Sequence, residues 1–98
     1  MSGVDTEHGF ADAVERAIRA LQPGEVVSYG EVARRAGFPR RARGVGNVLS
    51  SYDGDDLPWW RVVRADGRLV APQPSRQQRL LEAEGVDVEN GRVTGGVP

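Results

Sequence analysis

Two adjacent tryptophans, Trp59 and Trp60, are the side chains in this sequence best suited to hold a flat aromatic ligand. They stand in the segment 58–63, PWWRVV, after a stretch of helical character. Taken singly, each indole is a side chain that a hydrophobic core would bury. As a pair beside a turn, the rings could instead line a cavity in which an extrahelical nucleobase stacks. The pair alone leaves both interpretations open.

Nucleophilic and metal chemistry have little support in the sequence. The chain has no cysteine and one histidine, His8, so disulfides, thiolate catalysis and a zinc site of the usual Cys/His type are excluded. Asp53, Asp55 and Asp56 could hold a metal or serve a glycosylase, but solvation of an acidic loop is the simpler account and no partner group is evident. We therefore predict no catalytic residue, no metal and no cofactor.

Arginine is concentrated in the middle of the chain. The net charge is −1, yet residues 34–79 hold ten arginines against four acids, whereas both ends are acidic. Codon bias could explain why all 13 basic residues are arginine, but it does not explain the clustering. A basic centre between acidic ends is typical of a surface that attracts phosphates. Nucleic acid is therefore a candidate partner.

Helical patterns dominate the first half. Apolar residues at helical spacing predict an amphipathic helix over 9–21 that contributes only to the core. Two further helices, over 29–36 and 41–51, are separated by a short turn at Gly37. Helix, turn and helix together predict a helix-turn-helix, with a plain helical hairpin as the alternative.

Ser28 and Glu31 read as a capping box. The Ser28 hydroxyl is expected to accept from the amide of Glu31, and the Glu31 carboxylate to reach back to the amide of Ser28. Two glycines, Gly44 and Gly46, lie inside the second helix of the motif, where each costs about 1 kcal/mol relative to alanine. Either tight packing on another helix or close approach of a nucleic-acid strand could account for them.

The second half predicts mixed structure. Asp66-Gly67 between apolar segments indicates a β-hairpin. Ser75, with Gln78 three residues on, begins a last helix that runs to about Glu84. Residues 86–93 could form a small terminal hairpin or a loose tail. We expect one domain over 1–98, with its core at about 9–88 and a tail at 89–98. Because there is neither a membrane-spanning apolar run nor a signal peptide, the expected location is the cytoplasm, and the nucleoid when DNA is bound.

Several segments, in order and at matching spacing, resemble the DNA-binding domain of O6-alkylguanine-DNA alkyltransferases. They are VSYGEVA at 27–33, ARGVG at 42–46, PWWRVV at 58–63 and LLEAEG at 80–85. The resemblance covers roughly residues 10–88. It implies a mainly α fold with a small β-hairpin, that is, a winged-helix-like helix-turn-helix DNA-binding domain of the alkyltransferase family.

The resemblance also bears on activity. Those enzymes carry Pro-Cys-His-Arg-Val, and here Trp59 stands at the cysteine position and Trp60 at the histidine position. Tryptophan at the cysteine position is the mark of alkyltransferase-like proteins, which bind alkylated guanine without repairing it. Those relatives usually keep the histidine, so Trp60 departs from their pattern. Glu84 matches the glutamate that orients that histidine, and without the histidine we expect only a helix-end role. Arg61 could tie the pocket loop to the domain.

On the DNA side, the resemblance assigns Arg43 as the finger that fills the gap left by a rotated base. Tyr29 matches the tyrosine that presses on the neighbouring phosphate, although packing on the first helix is the alternative. The alternative for Arg43 is an ordinary phosphate-contacting arginine, and only the ARGVG match selects it, since the residue types alone do not distinguish it from Arg34, Arg35, Arg40 and Arg41. The predicted DNA-binding residues are Ser28, Tyr29, Arg40, Arg41, Arg43, Gly44 and Gly46. The predicted alkylguanine pocket is formed by Tyr29, Trp59, Trp60, Arg61, Val62 and Leu69.

The expected partners, by resemblance, are double-stranded DNA carrying O6-alkylguanine and the damage-recognition proteins of nucleotide excision repair, with the protein acting as a monomer. The competing hypothesis is a helix-turn-helix transcription regulator. Its recognition helix would need side chains that read base edges in the major groove, and ARGVG offers glycine and valine instead.

Overall fold

The computed structural model describes residues 6–52, 56–69 and 74–98. Within them the chain is mainly helical, as predicted. The helices are α1 (Thr6–Arg19), α2 (Tyr29–Arg35), α3 (Ala42–Ser51) and α4 (Pro74–Ala83), with a single 3₁₀ turn at Trp59–Arg61. The strands are β1 (Val27–Ser28), β2 (Val62–Val63), β3 (Val88–Glu89) and β4 (Arg92–Val93).

Helices α1, α2 and α3 pack around a first hydrophobic core. The apolar stripe predicted for α1 is confirmed: Phe10, Val14 and Ile18 are each at most 3% exposed. Their partners in this core are Leu21, Val27, Val32, Ala33, Val45, Leu57 and Val62. Burying such a stripe is what holds a helix of this length in place, since short helices are marginal on their own.

The helix-turn-helix is confirmed, and half of its capping box is present. The Ser28 hydroxyl accepts from the amide of Glu31 at 3.1 Å. The prediction of the reciprocal bond is wrong. The Glu31 carboxylate turns outward to Arg34 and Arg35, and the Ser28 amide donates to the carbonyl of Pro98 at 2.9 Å. The Ser28 amide therefore finds its acceptor in the C-terminal segment instead.

Gly37 ends α2 as predicted. Its φ of 92° is left-handed, and the amides of Gly37 and Phe38 close back onto Arg34 and Ala33 at 3.0 and 2.8 Å. The turn places the Phe38 ring edge-to-face on Phe10, with 5.0 Å between ring centres. This contact ties the turn to α1.

Gly44 owes its small size to packing within the protein. A β-carbon there would lie 2.8 Å from the Phe10 ring, which is itself 3% exposed. Gly44 also lines the groove between α1 and α3. Of the two explanations that the sequence left open, the structure thus supports tight packing on another helix for this glycine. Gly46 differs, because a β-carbon there would meet nothing within 4 Å. Close approach of a nucleic-acid strand therefore remains the explanation for Gly46 alone.

The strand pairing includes a long-range partner that the predicted hairpin did not anticipate. β2 pairs in parallel with β1, with Val62 opposite Val27 and Val63 opposite Ser28. Both valines of β2 are fully buried, as continuous apolar strands in parallel pairs usually are. The Asp66-Gly67 turn does form, with the amide of Gly67 bonded to the carbonyl of Arg64 at 2.8 Å. The amide of Arg64, the residue after β2, also donates to the carbonyl of Arg68 at 3.0 Å, so the tip of the predicted hairpin is closed. Within residues 56–69 and 74–98, β2 itself is paired with no strand that follows it.

Helix α4 begins at Pro74 and ends in a left-handed glycine, Gly85, with φ of 87°. Proline suits the first helical position because its missing amide hydrogen has no acceptor there. Ser75 is therefore inside the helix, and the Gln78 side chain bonds Glu82 rather than capping the start. The predicted start was one residue late for this reason.

The C-terminal residues form a packed hairpin rather than a tail. β3 and β4 pair antiparallel around Asn90-Gly91, both with positive φ as a tight two-residue turn requires. Val93 is 7% exposed and its amide bonds the carbonyl of Gly67 at 2.9 Å. The core therefore extends beyond the limit expected at residue 88, because Val93 belongs to a second core and Val97 packs against it. That core contains Val63, Leu69, Leu81, Val88 and Val93.

Candidate nucleic-acid interface

The two indoles lie edge-to-face in the 3₁₀ turn that precedes β2. Their ring centres are 6.1 Å apart and the planes meet at 88°. Both side chains are half-buried, so neither is a full core residue. Trp60 packs against the second core, which leaves its partner Trp59 as the more outward ring. We call Trp59 and Trp60 the indole pair.

Trp60 is tied to Glu84. Its Nε1 donates to Glu84 Oε2 at 2.9 Å, across 24 residues of sequence. The expectation that Glu84 serves only the end of its helix is therefore wrong. At the position where the transferases keep a histidine, the indole supplies a ring N–H donor to the matching glutamate.

Arg61 and Gly24 converge on the same carboxylate. Arg61 donates to Glu84 through Nε at 3.0 Å and Nη2 at 2.7 Å, and its Nη1 bonds the carbonyl of Leu21 at 2.9 Å. The amide of Gly24 donates to Glu84 Oε1 at 2.8 Å. The predicted role of Arg61 in tying the pocket loop to the domain is confirmed. Glu84 therefore joins three separate segments: the pocket loop, the end of α4 and the turn after α1.

The electrostatics of this cluster keep Glu84 ionised. Burial alone would raise the pKa of its carboxyl, but the bonds from Arg61, Gly24 and Trp60 outweigh burial and lower that pKa to about 2. The side chains of Arg61 and Glu84 are only 12% and 13% exposed. Loss of one partner from so sheltered an ion pair strongly destabilises the folded protein, because the other partner is left as an unpaired charge.

Gln77 is a positioning residue that sequence reasoning missed. It is fully buried, and its Nε2 donates to the carbonyls of Trp60 and Val62 at 3.1 and 3.0 Å. It holds the backbone of the pocket loop against α4. Its spacing could have revealed it, because Gln77 lies four residues before the core residue Leu81 and so shares its buried face.

Arg76 stands over the outer indole. Its guanidinium carbon lies 5.9 Å from the ring centre of Trp59, within the range of a cation–π contact. The arginine comes from the first turn of α4. An indole flanked by a guanidinium offers a nucleobase both stacking surface and positive charge.

Two predicted pocket residues belong to the cores instead. Val62 is fully buried in the first core and Leu69 is 8% exposed in the second. The assignment of either side chain to a pocket wall is wrong, because both face inward from strands or turns that pack the domain. Tyr29 is half-buried against the first core. In the described residues no ring contact or hydrogen bond joins it to the indole pair, of which Trp60 packs on the second core.

The structure sorts the five arginines that the sequence left equivalent. Arg34 bonds Glu31 at 2.6 Å, and Arg35 bonds both Glu31 and Glu25 at 2.8 and 3.0 Å. Such pairing lowers the pKa of the Glu31 carboxyl to about 2. These two guanidinium groups are already occupied.

Three arginines remain at the start of α3. The guanidinium of Arg41 covers the Phe10 ring at 4.2 Å. Arg40 and Arg43 are exposed, and neither has an ion-pair partner in the described parts of the chain. Arg43 lies in the first turn of α3, at the end of the motif that faces away from the core. It is thus a free cation at the position that the resemblance assigns to the finger.

The acidic loop offers no catalytic or metal arrangement in the part that is described. Asp53 and Asp55 lie outside the described residues. Asp56 bonds Arg19 at 2.7 Å and accepts from the Tyr52 hydroxyl, and these bonds, led by that of Tyr52, lower the pKa of its carboxyl to about 2. Among the described residues, no three His, Asp or Glu side chains are grouped to hold a metal. None of the described helices has the length and apolar character needed to cross a bilayer.

A helix-turn-helix with unpaired arginines at the start of its second helix defines a DNA-binding domain. Residues 9–86 match the family model described as "6-O-methylguanine DNA methyltransferase, DNA binding domain". The chain belongs to this family, and the resemblance found in its sequence is confirmed.

Several relatives are named for DNA base flipping or for likeness to alkyltransferases. The DNA base-flipping protein of Escherichia coli is 43% identical over 88 residues, which cover 87% of this chain and 68% of that protein. Alkyltransferase-like protein 1 of Schizosaccharomyces pombe is 33% identical over 84 residues, covering 81% and 78%. A crystal structure of S. pombe Atl1 with damaged DNA containing O6-carboxymethylguanine superposes with a TM-score of 0.79 at 29% identity, covering 93% and 90% of the two chains.

Proposed function

We propose that this protein binds DNA containing O6-alkylguanine, receives the damaged base against the indole pair and leaves the alkyl group in place. The observation that carries the proposal is Trp59, a half-buried indole where the transferases have their nucleophile, in a chain without cysteine. A thiolate is the group that would attack the alkyl carbon. Without it, the same pocket can bind the lesion but has no nucleophile to accept its alkyl group.

The physical basis of recognition is the balance between rotating a base out of the duplex and stacking it in the protein. Alkylation at O6 weakens pairing, so extrusion costs less for the lesion than for guanine. Stacking on an indole is worth about 1–3 kcal/mol for any base. The alkyl group adds apolar surface to the lesion, and removing that surface from water favours the damaged base further. Both effects act in the same direction and favour the damaged base.

Arg43 is assigned to fill the gap in the duplex. It is exposed and unpaired within the described residues, so it loses no protein bond on entering DNA. Gly46, with open space where a side chain would be, lets α3 approach a minor groove closely. The name of the E. coli relative, a DNA base-flipping protein, supports the rotation of a base out of the duplex that this assignment requires.

The downstream partners belong to the same proposal. A protein that binds a lesion and cannot remove it must be followed by enzymes that cut the strand out. We assign that role to the damage-recognition proteins of nucleotide excision repair on family resemblance. The expected result is that the purified damage-recognition complex binds the protein–lesion DNA complex more tightly than either lesion DNA or protein alone.

The direct test is a titration of intrinsic tryptophan fluorescence with two duplexes that differ only in O6-methylguanine or guanine at one position. We expect tighter binding to the lesion, a change in indole emission and recovery of the DNA with its methyl group intact by mass spectrometry. Equal affinity for both duplexes would indicate a sequence-reading regulator, and a demethylated or base-free product would indicate an enzyme. Either result contradicts the proposal.

Arg43→Ala tests the finger, with Arg34→Ala as the matched control. Both variants remove one positive charge, but Arg34 is bonded to Glu31 whereas Arg43 has no ion-pair partner in the part of the chain that the structure describes. We expect Arg43→Ala to lose most of the preference for the lesion and Arg34→Ala to keep it. If the two variants behave alike, Arg43 is not the finger.

A further inference from the structure

Tyr29 and Arg64 leave the same end of the parallel strand pair. The register places Ser28 opposite Val63, and the next residues along the two chains are Tyr29 and Arg64. Neighbouring strands lie about 4.8 Å apart. The backbones of Tyr29 and Arg64 therefore lie side by side at one end of the strand pair, although the two residues are 35 positions apart in sequence.

Arg64 projects from a rigid base. Its amide donates to the carbonyl of Arg68 at 3.0 Å, and its own carbonyl accepts from the amide of Gly67 at 2.8 Å. The side chain is exposed, and within the described residues no carboxylate pairs with it. This contrasts with Arg34 and Arg35, which Glu31 holds. An arginine with a fixed backbone and a free guanidinium is ready to bind an anion.

The guanidinium is close enough to the phenol to act on it. Burial raises the pKa of the Tyr29 hydroxyl, and the positive charge of Arg64 opposes that rise. Tyr29 thus stays neutral at physiological pH and keeps its O–H donor. A hydroxyl donor beside a guanidinium suits an anion with several oxygens, and a backbone phosphate is the anion that DNA presents.

We propose that Arg64 and Tyr29 bind one and the same backbone phosphate, on the strand from which the damaged nucleotide is rotated. The inference rests on the proposed function and extends its interface to Arg64, outside the helix-turn-helix. A phosphate held by two groups from separate strands keeps its position while the sugar and base turn about it. Arg64 and Tyr29 thus hold the DNA backbone in place, while Arg43 fills the gap that the rotated base leaves in the duplex.

The test replaces single phosphates of the O6-methylguanine duplex by uncharged methylphosphonates, one position at a time. We expect one position where neutralisation weakens wild-type binding about tenfold, as loss of a charged hydrogen bond does. At that same position Arg64→Ala and Tyr29→Phe should both be insensitive. Arg64→Ala should also lower the salt-dependence slope by about 1, as loss of one phosphate contact does. Arg64→Lys should keep that slope.

Arg34→Ala is the control for charge alone, and unfolding curves check that each variant is folded. If Arg34→Ala and Arg64→Ala lose DNA affinity equally, the effect of Arg64 is only the general electrostatic attraction of the protein to DNA, and the inference is overturned. So would unchanged binding of Arg64→Ala, or different sensitive phosphates for Arg64 and Tyr29. If the wild type does not prefer the lesion, the proposed function fails. The same scan on undamaged duplex then still decides whether the two residues share a phosphate.

Discussion

The indole nitrogen of Trp60 donates to a carboxylate oxygen of Glu84 at 2.9 Å, and Arg61, the next residue, donates to the same carboxylate. One buried anion therefore orients both the ring at the back of the indole pair and the residue that anchors the loop. Because Trp60 meets Trp59 edge-to-face, the orientation of the outer ring depends on a charge at the end of α4.

Replacement of Glu84 is expected to be costly. Glu84→Gln leaves Arg61 sheltered without its counter-charge, which should lower the free energy of unfolding by about 3–5 kcal/mol. Chemical denaturation measures this directly. Glu82→Gln is the matched control, since Glu82 lies in the last turn of α4, two residues before Glu84, but is exposed, and within the described residues its side chain bonds only the side-chain amide of Gln78. Similar losses in both variants would mean that the Glu84 cluster has no special role.

Acid should weaken the domain through the same carboxyl. The pKa of Glu84 is about 2 in the folded protein, against an ordinary value of 4.5. Because the folded state binds the proton less readily, the stabilisation is complete above about pH 5 and is lost as pH falls from there towards 2. The free energy of unfolding of the wild type should fall across this range more steeply than that of Glu84→Gln. Parallel pH profiles would contradict the assignment.

Trp60 can be tested by changing its donor separately from its ring. Trp60→Phe keeps an aromatic side chain but cannot donate to Glu84, and we expect a loss of about 1.5–3 kcal/mol, as for a hydrogen bond to a charged group. Trp60→His restores a ring N–H that can face the carboxylate, so it should keep more stability and more preference for the lesion. Denaturation and the fluorescence titration measure the two effects. Equal behaviour of the two variants would show that the hydrogen bond is not what positions the loop.

The two glycines of α3 should respond in opposite ways to alanine. Gly44→Ala places a methyl group against Phe10, and overpacking of this kind costs about 1–3 kcal/mol. Gly46→Ala meets open space and gains helix propensity, so the free energy of unfolding should rise by up to about 1 kcal/mol while DNA binding weakens. If Gly46→Ala binds DNA as wild type does, that face of α3 does not approach the groove closely.

Features with a local cause could be predicted from the sequence. The stripe of α1, the Ser28 cap, the left-handed Gly37 and the Asp66-Gly67 turn each depend on residues within a few positions of one another, and all are present. The order and spacing of the four motifs also indicated the family, because both can be read from the sequence without knowledge of the fold. The helix-turn-helix followed from the same local patterns.

Contacts between distant residues were decided only by the tertiary structure. The parallel pairing of Val62 with Val27 spans 35 residues, and Gly24 reaches Glu84 across 60. No local pattern encodes such partners, because burial and charge pairing depend on which surfaces meet when the helices pack. The same packing paired Arg34 and Arg35 with carboxylates and left Arg43 and Arg64 without such a partner among the described residues. It also placed Phe10 against Gly44 and buried Val62 and Leu69 in the cores. Residue types determined the chemistry that was available, and tertiary packing decided which side chains remained free to use it.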